Sequence, residues 1–154
     1  MYSSLSSLQE FVLHHTQLLC DSYSHWLRRE LLPGAHPARL AELLFDAPFA
    51  LVSHDAQPDP VFNYANRGAL ELFGYSWQEF TSLPSRHSAE PVNQPGRQEI
   101  LQQVAEHGHT YGYSGVRIAR DGSRFEIRSA TLWNVLDRGD YCGQAAMITD
   151  WQLL

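Results

Sequence analysis

The chain has 154 residues, 44% of them hydrophobic and only 18% charged, which fits one folded domain with a real core and excludes a disordered chain. Its formal net charge of −6 and its single basic doublet, Arg28-Arg29, argue against nucleic-acid binding, which requires a basic face. No apolar run approaches a membrane span and residues 1–20 lack the basic start of a signal peptide, so the cytoplasm is the expected location. Cys20 and Cys142 lie too far apart to indicate a metal site, and two free core thiols are expected.

Two helices are predicted in an N-terminal segment over residues 1–46. The first covers residues 5–32, and its apolar stripe is expected to pack on the rest of the domain or on a second copy. A second, short helix covers residues 37–46, with Pro37 suited to its first position. The stripe of the first helix consists of Leu5, Leu8, Val12, Leu19 and Trp26, at spacings of three or four residues or their multiples.

Residues 49–152 form the predicted main domain, in which the periodicity changes from helix to strand and back. Ser76 and Glu79 match a capping box at a helix start, and Asp121-Gly122 is a strong hairpin signal. The predicted elements are strands over 49–55 and 61–66, helices over 69–74 and from 76, an ordered loop over 84–96, a helix over 98–107, and strands over 109–119, 124–136 and 141–151.

This element order predicts an α+β fold, because strands and helices come in runs rather than in strict alternation. The arrangement is a five-stranded antiparallel sheet with short helices on one face, preceded by the N-terminal helices. Such an arrangement leaves a concave cavity between the sheet and the helices, where a ligand can bind.

Several short segments resemble the PAS domain in their order and spacing over about 100 residues. The segments that carry this resemblance are 61–66 (VFNYAN), 69–76 (ALELFGYS), 120–122 (RDG) and 143–150. A closer resemblance is to the MEKHLA domain, a PAS-related family, through residues 83–91 (LPSRHSAEP), 113–118 (YSGVRI), 131–137 (TLWNVLD) and the leading helix over 21–32. The resemblance covers nearly the whole chain and implies a PAS-like sensory role.

No cofactor is predicted. Light-sensing PAS domains carry an Asn-Cys-Arg motif under the cavity, but the corresponding residues 85–90 contain no cysteine. Asn134 and Gln144 resemble polar positions that contact flavin in that subfamily, although hydrogen bonding within the sheet explains them equally well. Some PAS domains bind haem through a helical histidine, but His107 and His109 flank a glycine and are better explained as residues at a helix end.

The loop over residues 85–90 is the strongest candidate for ligand contact. An arginine in a pocket, such as Arg86, can bind a carboxylate or phosphate through its fork of donors. In the alternative, Glu90 forms a structural salt bridge with Arg86 or with a strand arginine such as Arg117. Strand alternation favours a register in which Asn134 and Gln144 face the helices, whereas the reverse register would turn Thr131, Trp133 and Met147 inward. The predicted ligand-binding residues are Tyr64, Ser85, Arg86, Ser88, Glu90, Tyr113, Arg117, Asn134 and Gln144.

The predicted function is a sensory module, not an enzyme, that binds an unknown small molecule or a partner protein. The sequence lacks a glycine-rich phosphate loop, a nucleophile elbow and an HExxH motif. Binding would shift the N-terminal helix or a homodimer contact made by that helix and the sheet face. The alternatives are a pure interaction module without a ligand, and a small enzyme that uses Glu90 and Arg86.

Overall fold

The structure is a computed structural model that describes residues 5–154, so residues 1–4 of the predicted N-terminal segment lie outside the described residues. It confirms the α+β fold: one antiparallel five-stranded sheet in the order β2-β1-β5-β4-β3. The strands are β1 (Ala50–His54), β2 (Phe62–Ala65), β3 (His109–Ile118), β4 (Arg124–Asp137) and β5 (Asp140–Leu153).

Five α-helices accompany the sheet: α1 (Leu5–Leu27), α2 (Leu40–Phe45), α3 (Arg67–Phe73), α4 (Trp77–Phe80) and α5 (Gln94–His107). The first ends short of the predicted residue 32, because Arg28 adopts a left-handed conformation with φ of 60°. The predicted loop over 84–96 instead contains two 3-10 turns (Ser85–Ser88 and Pro91–Asn93) and the first turn of α5, where a proline is tolerated. The predicted capping box at Ser76 is confirmed.

The inner face of the sheet packs against α3, α4 and α5. Phe62, Phe73 and Phe80 form an aromatic cluster there, and the rings of Phe62 and Phe80 stack with centroids 4.1 Å apart. Val104 anchors α5 to the same core. This layer contains the cavity described below.

The outer face of the sheet is covered by α1, so helices lie on both faces. Leu19 and Tyr23 of α1 are buried in a second core, and the Tyr23 ring contacts Trp133 edge-on at 5.0 Å. The C-terminal part of the predicted apolar stripe, with Leu19 and Trp26, thus packs on the domain. The sheet face that was expected to take part in a homodimer contact is occupied by the chain's own helix.

Side chains of α1 also make polar contacts with the sheet, among them those of Trp26, Ser22 and His15. Trp26 donates its indole N–H to the carbonyl of Asn134 at 2.9 Å. Ser22 Oγ accepts from the Leu136 amide at 2.8 Å. His15 Nε2 lies 2.8 Å from Ser53 Oγ, which itself donates to Asn63 Oδ1, so the ring donates to the hydroxyl through Nε2–H.

We predict that Gly108→Ala destabilises the protein by roughly 2–4 kcal/mol, whereas Gly96→Ala is neutral or stabilising. Gly108 ends α5 with φ of 97°, and an added Cβ would overlap the Trp26 ring. Gly96 is the matched control, since it lies inside α5 with open space around the position of a Cβ. Urea denaturation measures both variants, and equal stability of the two would contradict the close contact between α1 and the end of α5.

We also predict that acid weakens the fold through His15. Burial, with a smaller effect of His14, lowers the pKa of His15 to about 4. The unfolded chain then binds a proton more readily between pH 6.5 and 4, so the free energy of unfolding falls as the pH drops through this window, by roughly 3 kcal/mol. In His15→Gln this pH dependence should become shallower, while the exposed His107→Gln control should keep it. Identical curves for His15→Gln and the wild type would disprove the assignment.

Candidate functional site

A cavity of about 60 Å³ lies between α5, the Ser85–Ser88 turn and the inner face of the sheet. Such a volume has room for roughly four to six water molecules. Its apolar wall comes from Val52, Phe62, Phe73, Leu101, Ile127, Ala130, Leu132, Ala146 and Ile148. Its polar groups come from His54, Ser85, Ser88, Arg97, Tyr113 and Arg117.

The Ser85–Ser88 turn is attached to the edge of β2, which places both serines at the cavity. The amide of Phe62 donates to the Leu83 carbonyl at 3.0 Å, and the amide of Ser85 donates to the Pro60 carbonyl at 2.8 Å. Ser88 Oγ donates to the carbonyl of Ser85 at 2.7 Å and closes the turn. Both serines are buried, so their hydroxyls belong to the cavity wall rather than to the surface.

Two buried arginines approach the cavity from different elements. Arg97, in the first turns of α5, is 5% exposed and donates to Ser85 Oγ. Arg117, on β3, is 8% exposed, and its Nη2 donates to Tyr113 Oη at 2.9 Å. The guanidinium carbon Cζ of Arg117 lies 5.6 Å from the centroid of the Tyr113 ring. Gly115 lies between these two residues of β3, and a Cβ there would come within 2.5 Å of Tyr113 Oη. Glycine at this position thus leaves room for the pair.

Neither buried arginine forms an ion pair, and no carboxylate among the described residues lines the cavity. Burial, reinforced by the charge of Arg117, lowers the pKa of Arg97 to about 10. The guanidinium therefore stays charged at neutral pH. Burying an ion without a counter-charge costs on the order of several kcal/mol, so this arrangement opposes folding unless something compensates it.

His54 adds an unused polar atom to the same wall. Its Nδ1 lies 2.9 Å from the carbonyl of Asp55, while its buried Nε2 has no hydrogen-bond partner among the described residues. Burial lowers the pKa of His54, which the hydrogen bond to Asp55 only partly opposes. Gln144 lies near enough to favour the protonated ring slightly, but no atom of it meets hydrogen-bond geometry at Nε2. The imidazole is thus neutral near pH 7.

Four of the predicted ligand-binding residues line the cavity together, and two of the loop residues do not. The four are Ser85, Ser88, Tyr113 and Arg117. Arg86 points to the surface, where its Nε donates to Asp59 Oδ1 at 3.1 Å. Glu90 lies 3.8 Å from Arg124 Nη1 on β4, so it pairs with a strand arginine as the alternative predicted, but with Arg124 rather than Arg117.

Tyr64 lies on the outer face of the sheet, away from the cavity. Alternation along β2 would place it on the same face as Phe62, but a β-bulge shifts the register between Ser53 and His54. Tyr64 therefore pairs with Ser53 and packs edge-on against Trp77, with ring centroids 5.6 Å apart. Its buried hydroxyl has no hydrogen-bond partner within the described part of the chain, and burial raises its pKa.

Asn134 and Gln144 face the helices, in the register that alternation favours, but the side chains of both are hydrogen-bonded to the backbone of α5. Gln144 Nε2 donates to the Leu101 carbonyl at 2.8 Å and lies 3.2 Å from Asn134 Oδ1. Asn134 Nδ2 donates to the Ala105 carbonyl at 3.3 Å. Neither lines the cavity, because α5 lies directly over them.

Arg97 and His54 are the site residues that the sequence reasoning missed. Arg97 fell outside the predicted helix because its start was placed at residue 98 instead of Gln94. His54 follows Val52 by two positions on a buried strand, so alternation along this strand predicts the same face for both, and both line the cavity.

The cavity does not fit a flavin. Pockets for ligands of that size measure roughly 300–1,000 Å³, and the amides of Asn134 and Gln144 are already engaged with α5. Residues 5–154 contain no cluster of three or more His, Cys, Asp or Glu side chains able to hold a metal. Cys20 is buried and Cys142 half-buried, and both are free thiols.

The MEKHLA domain model matches residues 13–153. The chain belongs to the MEKHLA domain family. Similar proteins include the homeobox-leucine zipper protein HOX10 of Oryza sativa subsp. indica and of subsp. japonica, each 26% identical over 123 residues. The match covers 77% of this chain but only 14% of either rice protein. This MEKHLA domain therefore corresponds to a small part of those relatives.

Solved structures with the same fold are PAS and light-oxygen-voltage domains. A light-oxygen-voltage domain studied with a flavin analogue aligns with a TM-score of 0.59 and 24% identity, over 75% of this chain and 84% of that one. The PAS domain of a Colwellia psychrerythraea protein aligns with a TM-score of 0.58 and 18% identity, over 73% of this chain and 94% of that one. An RNA-binding light-oxygen-voltage receptor aligns with a TM-score of 0.63 and 22% identity, over 78% of this chain and 35% of that one. These identities establish the fold alone. No helix within residues 5–154 is both long and apolar enough to cross a membrane.

We predict that Gln144→Leu destabilises the protein by roughly 1–3 kcal/mol, because it removes the bonds to α5 and leaves buried acceptors unpaired. Gln98→Leu on the exposed side of α5 is the matched control and should change the stability little. Urea denaturation measures both. If Gln144→Leu were as stable as the wild type, the amide would not be what holds α5.

Proposed function

We propose that this MEKHLA domain is a sensory module that binds a small molecule in the cavity and responds by changing the docking of α1. The observation that carries the proposal is a set of buried polar groups around an internal cavity whose interactions within the described residues are incomplete: two arginines without a carboxylate partner and a histidine nitrogen without a hydrogen-bond partner. Native proteins satisfy nearly all such groups, and the exceptions concentrate at functional sites. Under this proposal the N-terminal segment 1–46 is the output and residues 49–152 form the sensor.

The route from the cavity to α1 runs through α5. Arg97 and Leu101 of this helix line the cavity, and its last turn ends at Gly108, directly against the Trp26 ring. Asn134 connects the same parts, since its side chain donates to α5 while its carbonyl accepts from Trp26. A ligand that moves α5 must therefore change the packing of the Trp26 side chain. This is an argument from physical contact, which a coupling measurement has to test.

The packing of α1 on the sheet is suited to release. At this layer, buried polar atoms that lack a hydrogen-bond partner among residues 5–154 include Thr16 Oγ1, Tyr64 Oη and Trp133 Nε1. Each unsatisfied group costs about 1–3 kcal/mol relative to its hydrated state, which lowers the free energy needed to detach the helix. A ligand needs only a modest difference in affinity between the docked and undocked forms to shift their populations.

A second candidate function is protein interaction without a ligand, and an exposed apolar groove favours it. Leu8, Val12 and Leu13 of α1 line this groove with Ala41 of α2, and Leu13 is 61% exposed. Because α1 covers the outer sheet face, a homodimer would form through this groove rather than through the sheet. An enzymatic reading has less support, since Glu90 and Arg86 lie outside the cavity.

We predict that native mass spectrometry of the purified chain detects a retained small molecule, and that Ala146→Met abolishes its retention. Ala146 lines the cavity, so a longer side chain fills it. Thr149→Met, on an exposed position of the same strand, is the control and should retain the compound. Hydrogen exchange over residues 5–27 should also differ between the loaded protein and protein stripped by mild denaturation and refolding. Absence of a bound mass together with unchanged exchange would reject the sensory proposal.

A further inference from the structure

We propose that the cavity binds a small oxyanion, a carboxylate or phosphate of no more than about six non-hydrogen atoms, between the guanidinium groups of Arg97 and Arg117. This inference rests on the proposed function of the cavity and specifies the chemistry of its ligand. It depends on three observations: the charge that the cavity buries, the donors that remain unused, and the space available.

The buried charge is positive and uncompensated. Seven arginines on the surface of the described chain form ion pairs with carboxylates, namely Arg39, Arg67, Arg86, Arg120, Arg124, Arg128 and Arg138. Arg97 and Arg117 are the two buried arginines of this part of the chain, and neither has a carboxylate partner. The seven surface arginines, whose charges water already screens, are therefore paired with carboxylates. The two buried arginines, whose charges are screened least, are not. A bound anion supplies the missing counter-charge.

The guanidinium groups also retain free donors. Each guanidinium has five N–H groups. Arg97 uses one toward Ser85 Oγ, and Arg117 uses one toward Tyr113 Oη and one toward the Val116 carbonyl. These contacts orient both planar groups and leave donors for the two or three oxygens of an oxyanion. The neutral His54, with its unpartnered Nε2, offers one more polar contact for a hydroxyl on the ligand or for a water that accompanies it.

The available space limits the ligand. A volume of about 60 Å³ corresponds to roughly four to six waters, which matches acetate, glycolate or phosphate but not an aromatic acid or a nucleotide. The apolar wall formed by Leu101, Ala146 and Ile148 accommodates a short hydrocarbon group beside a carboxylate. The chemistry of the two arginines admits both carboxylate and phosphate, so the experiment has to separate them.

The test is thermal unfolding of the full chain at pH 7 with sodium acetate, sodium glycolate or sodium phosphate, each against sodium chloride of the same ionic strength. We expect a saturable rise in Tm with at least one oxyanion and none with chloride. Arg97→Gln and Arg117→Gln should each weaken the apparent affinity at least tenfold, while the surface control Arg124→Gln keeps it. In addition, ligand-free Arg117→Gln should be no less stable than the wild type, because it removes one of two like charges. A purely structural arginine would lose stability on this change.

The outcomes separate the alternatives. Acetate or glycolate acting without phosphate identifies a carboxylate site, and the reverse identifies a phosphate site. No oxyanion effect beyond chloride, or an effect that persists in both arginine variants, overturns the proposal. Hydrogen exchange over residues 5–27 then tests the sensory function separately, because an anion that binds without changing α1 refutes only the signalling step. A neutral compound retained in native mass spectrometry would refute the anion and leave the sensory function intact.

Discussion

The hydrogen bonds between two amide side chains of the sheet and the backbone of α5 are the constraint on which the rest of the structure depends. Gln144 and Asn134 donate to the carbonyls of Leu101 and Ala105, which fixes the helix directly over β4 and β5. This attachment keeps the cavity small, because the space that a large planar cofactor would need is filled by the helix itself. It also explains why a fold shared with flavin-binding domains does not bring a flavin site with it.

With α5 fixed in this way, the polar groups around the cavity have few possible partners within the protein. The side chain of Arg97 has to enter the core from the first turns of the helix, and Arg117 enters from β3 beside Tyr113. Local choices in a stable protein usually agree with the global fold, and disagreements concentrate where function requires them. Two like charges meeting in a buried space are such a disagreement. They stand in contrast to the well-paired arginines at the surface.

Alternation along strands predicted the sheet, and four of the predicted ligand-binding residues line the cavity, two from a turn and two from β3. Arg117 and Tyr113 come together there because β3 keeps them on one face despite its irregular pairing. Tyr64 lies away from the cavity because a β-bulge near the edge of the sheet interrupts the alternation, and no turn residue in the sequence marks this bulge. Arg97 was missed because a helix boundary is only weakly encoded where two prolines precede it. The partners of Glu90 and Arg86 depend on loop geometry, which periodicity does not describe.

The two faces of the sheet are joined most directly by β1, where consecutive residues serve different layers. Ser53 contacts His15 of α1 on the outer face, and His54 lines the cavity on the inner face. A strand cannot shift its inner side chains without moving its outer ones, since both are attached to the same short backbone. Beside this strand, Asn134 on β4 spans the same two layers through its side chain and its carbonyl. The cavity and α1 are thus connected through β1 and through Asn134, as well as through the end of α5. In the proposed function, occupancy of a very small cavity would therefore reach a helix on the opposite side of the sheet without a large rearrangement of the core.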